Sequence, residues 1–485
     1  MPEFDLLLRD ADVIDGSGTP RFRADVGVRN GLIAAVGDLG NASASQSVSL
    51  DGLALSPGFI DVHTHDDRLV LSDPAMTPKV SQGVTTVIVG NCGISLAPMG
   101  MTPPTPPLNL IAGDQDTHRF DNFADYFAAL DSAPPATNCA ALVGHTTLRA
   151  RTMASLEREA NDTEIAAMRA LVDEALRSGA IGASTGTFYA PARPATAREV
   201  QAVFEPLRGT DAVIASHVRD ETGPVLDSID EVLGIAAALG VRQVVSHHKV
   251  VGKPNFGRSR ETLAHFDTRR REAADPTRVC LDCYPYAASS TILRADTVAI
   301  AKKTLIAWSI PIPEASGRTI DAFAAERKLS IEQAIEALQP AGAIYFSMDE
   351  PDVERILAYP ETMVGSDGLP HDRFPHPRLW GAFPRVLGHY SRDRGLMPLE
   401  RAVHKMTGLS AMRFGLKGRG FVHPGCAADL VVFDPQRVRD AATFEAPTRP
   451  AEGIIQVLVN GVATWIDGRH TGARSGQAIR RRHQR

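Results

Sequence analysis

Eight short apolar runs, separated by helix-like stretches, constrain this sequence more than any other feature. They read "GFIDVHTH", "TTVIVGNCG", "CAALVGHTT", "GAIGASTG", "DAVIASHVRDE", "RQVVSHHK", "VCLDCYPY" and "TMVGSDG". Most are apolar nearly throughout, as strands of a parallel sheet buried on both faces must be. Between them, "DTEIAAMRALVDEALRSG" and "VLDSIDEVLGIAAALG" repeat apolar residues at three-to-four spacing and stop at glycine, which predicts helices. Strands and helices alternating in this way predict an α/β fold, a TIM-like (β/α)8 barrel. A chain of 485 residues holds such a barrel and additions to it.

The additions are at the two ends and near the eighth run. "EFDLLLRDADVIDGSG" and "ADVGVRNGLIAAVGD" are strand-like, with Asn30-Gly31 as a hairpin turn. "AADLVVFDP" and "IIQVLVNGVATWIDG" repeat that style near the other end, with Asn460-Gly461 as the turn. The economical arrangement is a small β-sandwich domain built from both ends, residues 1–55 and 416–485, around a barrel at 56–415. The basic tail "GQAIRRRHQR" reads as a solvated terminus. After "YPYAASS" the eighth run is long delayed, and the stretch contains "SIEQAIEALQ" and "AIYFSMDE". It is too long for an ordinary loop and predicts an inserted lid at about 288–348. The proline-rich "APMGMTPPTPPLNL" is expected on the same rim.

Composition removes several classes of function. A net charge of −6 offers no global basic field for nucleic acid. No apolar run approaches the roughly 20 residues that span a bilayer, and the N-terminus lacks a basic segment followed by an apolar one. The five cysteines are few and odd in number, which fits a reducing cytoplasm better than a disulfide framework. Cys280 and Cys283 form a single C-x-x-C within an apolar run and read as buried and inert.

The candidate site follows from one shared position in the pattern. His63 and His65 end the first run, Cys92 the second, His217 the fifth, His247 the sixth and Asp367 the eighth, while Tyr189 follows the fourth. In a (β/α)8 barrel these C-terminal ends converge on one face. Residues i and i+2 of a strand point the same way, so His63 and His65 both face the axis. Imidazole and thiolate suit zinc, and a carboxylate adds a harder ligand or a base. Together they could fill one metal site and much of a second. His248 should point away from its neighbour His247, and His145 reads as a structural histidine ahead of one that supports a ligand from behind or faces substrate.

These residues also carry a resemblance. "PGFIDVHTHDD" resembles the opening signature of the metal-dependent amidohydrolase superfamily. With "GVTTVIVGNCGISLAP", "GASTGTFYAPA", "SHVRDE", "SHHKV", "YPYAASSTIL", "GSDGLPHDRFPHPRLWGAFPRVLG" and "HKMTGLSAMRFGLKGRG", nearly the whole chain looks like the D-aminoacylases, the N-acyl-D-amino-acid deacylases. Related cyclic-amide hydrolases use a carboxylated lysine as a bridging ligand. The fourth run here offers no lysine, and the resemblance to the D-aminoacylases implies that Cys92 takes the ligand role instead. The resemblance implies a tightly held zinc on Cys92, His217 and His247, and a second, weaker or partly occupied site on His63, His65 and Asp367. It implies that Tyr189, Lys249, Tyr286, Ser290 and Arg378 surround a small-molecule substrate, and it alone implies preference for the D enantiomer.

The expected activity is therefore zinc-dependent hydrolysis of an N-acyl-D-amino acid to a carboxylate and a free D-amino acid. Asp367 would serve as general base and then acid. Arg378 is placed to clasp the α-carboxylate through a planar guanidinium, with Lys249 as a point charge beside it. Arg294 is either a cation for an acidic side chain or a solvated residue of the lid. The competing readings are a cyclic-amide hydrolase or deaminase of the same superfamily, and a non-catalytic scaffold that should have lost ligands. None is missing here.

Overall fold

The computed structural model describes residues 2–100, 104–112 and 118–481. Residues 101–103, within the proline-rich rim loop, and the last four residues of the basic tail lie outside that description. Eight parallel strands form one sheet in sequence order: Phe59–Asp61, Val84–Val89, Asn138–Gly144, Gly182–Gly186, Val213–His217, Arg242–Val245, Val279–Cys283 and Thr362–Val364. Thr64 bridges Gly368 in parallel, and Asp367 N–H donates to His63 O at 2.6 Å, so the eighth strand returns to the first and the barrel closes. A buried cation spans that seam. Lys79 Nζ reaches Asp61 Oδ2 at 2.7 Å, Ser366 Oγ at 2.8 Å and Thr64 Oγ1 at 3.0 Å.

The two expected helices run over Asp162–Ser178 and Val225–Leu239. The first begins in a capping box on Asn161 and Glu164. Gly179 and Gly240 end the two in the left-handed conformation, at φ of 115° and 67°. The first turns Met168, Val172, Ala175 and Leu176 inward, so its apolar spacing is the spacing of one buried face.

Nine strands from the two ends of the chain make a second, continuous sheet. Its middle joins Ala54–Pro57 to Leu430–Phe433, one strand from each end. Asn30-Gly31 and Asn460-Gly461 both hold two consecutive positive φ angles, as tight hairpin turns require. A bridge from Leu32 to Ala427, and Ala428 N–H donating to Gly31 O at 2.9 Å, bring the far edge back to the middle. The sheet thus wraps its own apolar core, with Leu8, Val26, Leu430 and Leu458 within it.

Between Ser289 and Tyr345 a three-stranded antiparallel sheet and the helices Ile320–Arg327 and Ile331–Leu338 enclose a separate core around Phe323 and Tyr345. The tail departs from expectation. Cys139 N–H donates to Gln477 O at 3.0 Å, Ile479 N–H to Cys139 O at 2.8 Å and Arg481 N–H to Gly179 O at 2.9 Å. Its described part is not a solvated terminus: Ile479 packs against the apolar residues lining the barrel interior. Cys280 and Cys283 are buried free thiols, and burial pushes that of Cys280 up to about 12.

Candidate metal centre and active-site cavity

The ligand types converge as their strand-end positions require, though several stand just past the strands. His63 and His65 follow a strand ending at Asp61, His247 one ending at Val245 and Asp367 one ending at Val364. Cys92, His247 and Asp367 adopt φ of 53°, 36° and 49°. Left-handed backbone is costly for such residues and persists where the surroundings impose it, characteristically at functional sites.

Two groups of ligand atoms form, each within 4.8 Å: His63, His65, Cys92 and Asp367, and Cys92, His217 and His247. Cys92 belongs to both. Its Sγ is 3.3 Å from His63 Nε2 and 3.4 Å from His247 Nε2. His217 Nδ1 is 3.0 Å from His247 Nε2, and Asp367 Oδ1 is 3.3 Å from His65 Nε2 and 3.6 Å from His63 Nε2. Burial pushes the Cys92 thiol up, but the facing His63 and His247 outweigh it and hold the group well below the ordinary thiol range, as a thiolate. Burial also opposes ionisation of Asp367. Arg378, His65, His247 and His63 overcome that penalty and keep it a carboxylate.

Two acidic residues that the sequence reading did not single out stand behind the imidazoles. Glu221 Oε1 is 3.3 Å from His247 Nδ1, 3.6 Å from His217 Nε2 and 2.6 Å from Lys249 Nζ. Asp282 Oδ1 accepts the His247 backbone N–H at 2.9 Å and is 3.6 Å from His63 Nδ1. Such carboxylates select which imidazole nitrogen offers its lone pair and fix the ring's direction. Burial disfavours charge on Glu221, but Lys249 and His217 outweigh it and hold the carboxyl below its usual range.

A cavity of about 500 Å³ opens above these groups. Tyr189, Lys249 and Ser290 line it together with His65, His217, His247 and Asp367. Tyr189 OH is 3.0 Å from Thr291 Oγ1, and its ring stands edge-on to His217 at 5.1 Å. Arg294 also lines the wall, stacked over Phe188 at 4.7 Å and paired with Asp296, so it is not a solvated residue.

Arg378 and Tyr286 are not on that wall. Arg378 is fully buried, with Nη1 2.9 Å from Asp367 Oδ2 and Nη2 donating to Ser290 O at 3.1 Å. Tyr286 packs against His376 and Arg385. The tyrosine beside Lys249 and Arg378 is Tyr284, whose ring lies 5.6 Å from Lys249 Nζ and 4.5 Å from the Arg378 guanidinium. His248 points away as expected, with Nε2 2.8 Å from Thr262 Oγ1. His145 packs against Glu199 and Phe204, away from the cavity.

A closed barrel of parallel strands with two adjoining ligand sets at its C-terminal rim defines a TIM-barrel protein with a candidate metal centre where such barrels hold their active sites. A model described as the amidohydrolase family matches residues 46–255 and 262–470. The D-aminoacylase of Alcaligenes xylosoxydans xylosoxydans is 55% identical over 478 residues, 99% of this chain and 98% of that protein. A D-aminoacylase structure, solved for the functional role of its binuclear metal centre, has a TM-score of 0.96 at 55% identity, covering 99% of this chain and 100% of that one. The N-acyl-D-glutamate deacylase of Bordetella bronchiseptica, complexed with zinc and a phosphonate mimic of the tetrahedral intermediate, has a TM-score of 0.93 at 44% identity, covering 99% and 100%. The chain belongs to the amidohydrolase family, in its D-aminoacylase branch.

Proposed function

We propose that this protein is a zinc-dependent N-acyl-D-amino-acid deacylase. The observation that carries the reading is Asp367, a buried carboxylate that belongs to one ligand set and faces a cavity also lined by Lys249. Residues 56–415 would form the catalytic unit, with 288–348 as its lid, and residues 1–55 and 416–485 a supporting unit.

The donor set fits zinc. A thiolate, four imidazoles and a carboxylate meet in a buried cluster, into which His63 Nε2, His65 Nε2, His217 Nδ1 and His247 Nε2 all face. Cys92, His217 and His247 would hold the tight ion, and His63, His65 and Asp367 a weaker one that shares Cys92. When bound, zinc supplies Lewis acidity, lowering the pKa of water towards ~7 and polarising a carbonyl oxygen.

The protein's own groups supply the rest. Asp367 takes the proton from the attacking water and returns it to the leaving nitrogen, which must be protonated to depart. Arg378 holds Asp367 by its ion pair and aims it. Lys249, with Tyr189 and Ser290 on the same cavity wall, faces the substrate α-carboxylate. For Arg378 to clasp that carboxylate directly, as its neighbourhood to Lys249 invites, its pair with Asp367 must open. Tyr284 supports both cations from behind, and Tyr286 stays with the Arg385 cluster. Asp296 already balances Arg294, so an acidic substrate side chain would have to compete with it.

Cys92 in both ligand sets favours this reading over a cyclic-amide hydrolase, because the shared position is already taken by a thiolate. The experiment is a chiral product assay over paired N-acetyl-D- and L-amino acids, with metal analysis of the same sample. Release of D-amino acids by a zinc-containing protein is expected. Hydrolysis of hydantoins with no release from any linear N-acyl-D-amino acid would overturn it.

A further inference from the structure

The first and eighth strands are the two ends of the eight-stranded order, and one ligand set is divided between them. His63 and His65 follow the first strand and Asp367 follows the eighth. How these three ligands stand relative to one another is therefore decided at the seam. The backbone joins it through the Thr64–Gly368 bridge, Asp367 N–H on His63 O, and His65 N–H on Gly368 O at 3.1 Å. Cys92, His217 and His247 come after the second strand, at the end of the fifth and after the sixth, away from this seam.

Lys79 ties the seam from behind. It is fully buried, in the short helix Thr77–Val80. An ammonium has three hydrogens to donate. They go to Asp61 Oδ2, Ser366 Oγ and Thr64 Oγ1, and Asp66 Oδ2 adds a second negative charge 3.2 Å away. Thr64 lies between His63 and His65, Asp66 follows His65, Ser366 precedes Asp367, and Asp61 stands two residues before His63. The partners also bond to one another across the seam. Asp61 Oδ1 accepts Ser366 N–H at 2.8 Å, and Ser366 Oγ accepts Gly368 N–H at 3.1 Å. A Cβ on Gly368 would meet Leu379 Cδ1 at 2.7 Å, Ser366 Oγ at 3.1 Å and Lys79 Nζ at 3.3 Å, so the chain beyond Asp367 is held close against this network. Burying charge is costly, and an apolar side chain of similar volume often stabilises a fold as well. The best-attested use of a buried ionic group is to fix register. None of the four partners adjoins Cys92, His217 or His247 in the chain.

We propose that Lys79 is a positioning residue for the second ligand set. Through Asp61, Thr64, Asp66 and Ser366 it holds His63 and His65 in register with Asp367, and so sets the affinity of the weaker zinc site without setting that of the tight one. The inference rests on the two-ion reading and deepens it. The test is zinc bound per chain at equilibrium across graded free-zinc buffers, with turnover of an N-acetyl-D-amino acid measured on the same samples. The parent should fill in two steps. Ser366→Ala and Thr64→Val each remove one partner of the ammonium. They should move the weaker step to roughly 10- to 100-fold higher free zinc and leave the tight step within about twofold. Lys79→Met should lose the weaker step altogether, and if that variant does not fold, the other two decide. A parent that takes up zinc in one step, a weaker step that the variants leave in place, or two steps that shift together overturns the proposal, the last because a general loosening of the fold spares neither site. Turnover is read separately. Unmoved zinc steps beside hydrolysis of the D substrate overturn the role of Lys79 and uphold the deacylase. Selective loss of the second zinc in a protein that hydrolyses no N-acyl-D-amino acid upholds that role and overturns the deacylase.

Discussion

The two ends of the barrel are built on opposite principles. At the C-terminal rim, three ligand-type residues, Cys92, His247 and Asp367, hold left-handed backbone, at roughly 1–3 kcal/mol each. Buried ionisable groups are packed against one another there. In the interior below, Ile60, Ile88, Leu142, Val213, Val244 and Met363 form a buried apolar cluster, closed by Leu409 and Phe414 and by Ile479 of the tail. Apolar burial is favourable at about 25 cal/mol per Å², so this half stabilises the fold while the rim holds strained, charge-rich chemistry. The lesson is a division of labour: substitutions at the rim should change metal and rate, and those at the base should change stability.

Substitutions can break or sharpen that contrast, and the largest effect is expected at Asp367. Asp367→Asn should keep zinc on the Cys92, His217 and His247 set while kcat falls by ~10²–10⁴. A rate within a few-fold of the parent would move proton transfer to another group. Next come the two cations. Lys249→Met should lower kcat/KM for an N-acyl-D-amino acid by roughly 30-fold or more, the scale of a lost charge-assisted contact, and spare its carboxamide. Arg378→Lys should slow acid and carboxamide alike, because Arg378 acts on Asp367. If Arg378→Lys narrows the gap between the two substrates, the guanidinium reads the carboxylate itself.

Glu221→Gln should weaken zinc binding by ~10–100-fold in chelator competition, because both imidazoles of one ligand set lose the carboxylate behind them. Unchanged zinc affinity would reduce Glu221 to a partner of Lys249 alone. The smallest effect belongs to the base. Ile479→Ala should cost about 1 kcal/mol of stability in denaturant titration and leave kcat/KM unaltered. A change in rate with no change in stability would contradict the division.

Much of this was legible in the sequence because the barrel repeats. A strand end followed by a polar loop marks the same rim each time, so His63, Cys92, His217, His247 and Asp367 could be collected before any contact was known. Glu221 and Asp282 escaped for different reasons. Glu221 lies four residues past His217 in a loop with no period to fix its direction. Asp282 sits inside an apolar strand, where it reads as one polar interruption. Tyr284 and Tyr286 flank one proline beyond the seventh strand, and only the folded loop shows that Tyr284 meets Lys249. The tail was misjudged because charge suggests solvent, whereas its backbone pairs with the third strand and the sequence displays no backbone hydrogen bonds.

As proposed, Cys92 would be a zinc ligand shared by the two ligand sets at the rim. Zinc X-ray absorption on the protein loaded with one ion per chain tests it directly. The parent should show a sulfur neighbour at about 2.3 Å beside nitrogen or oxygen at about 2.0–2.1 Å. Cys92→Ala should lose the sulfur shell, most of its zinc and essentially all turnover. A parent spectrum with only nitrogen and oxygen neighbours, or a Cys92→Ala protein that keeps its zinc and its rate, would contradict the account.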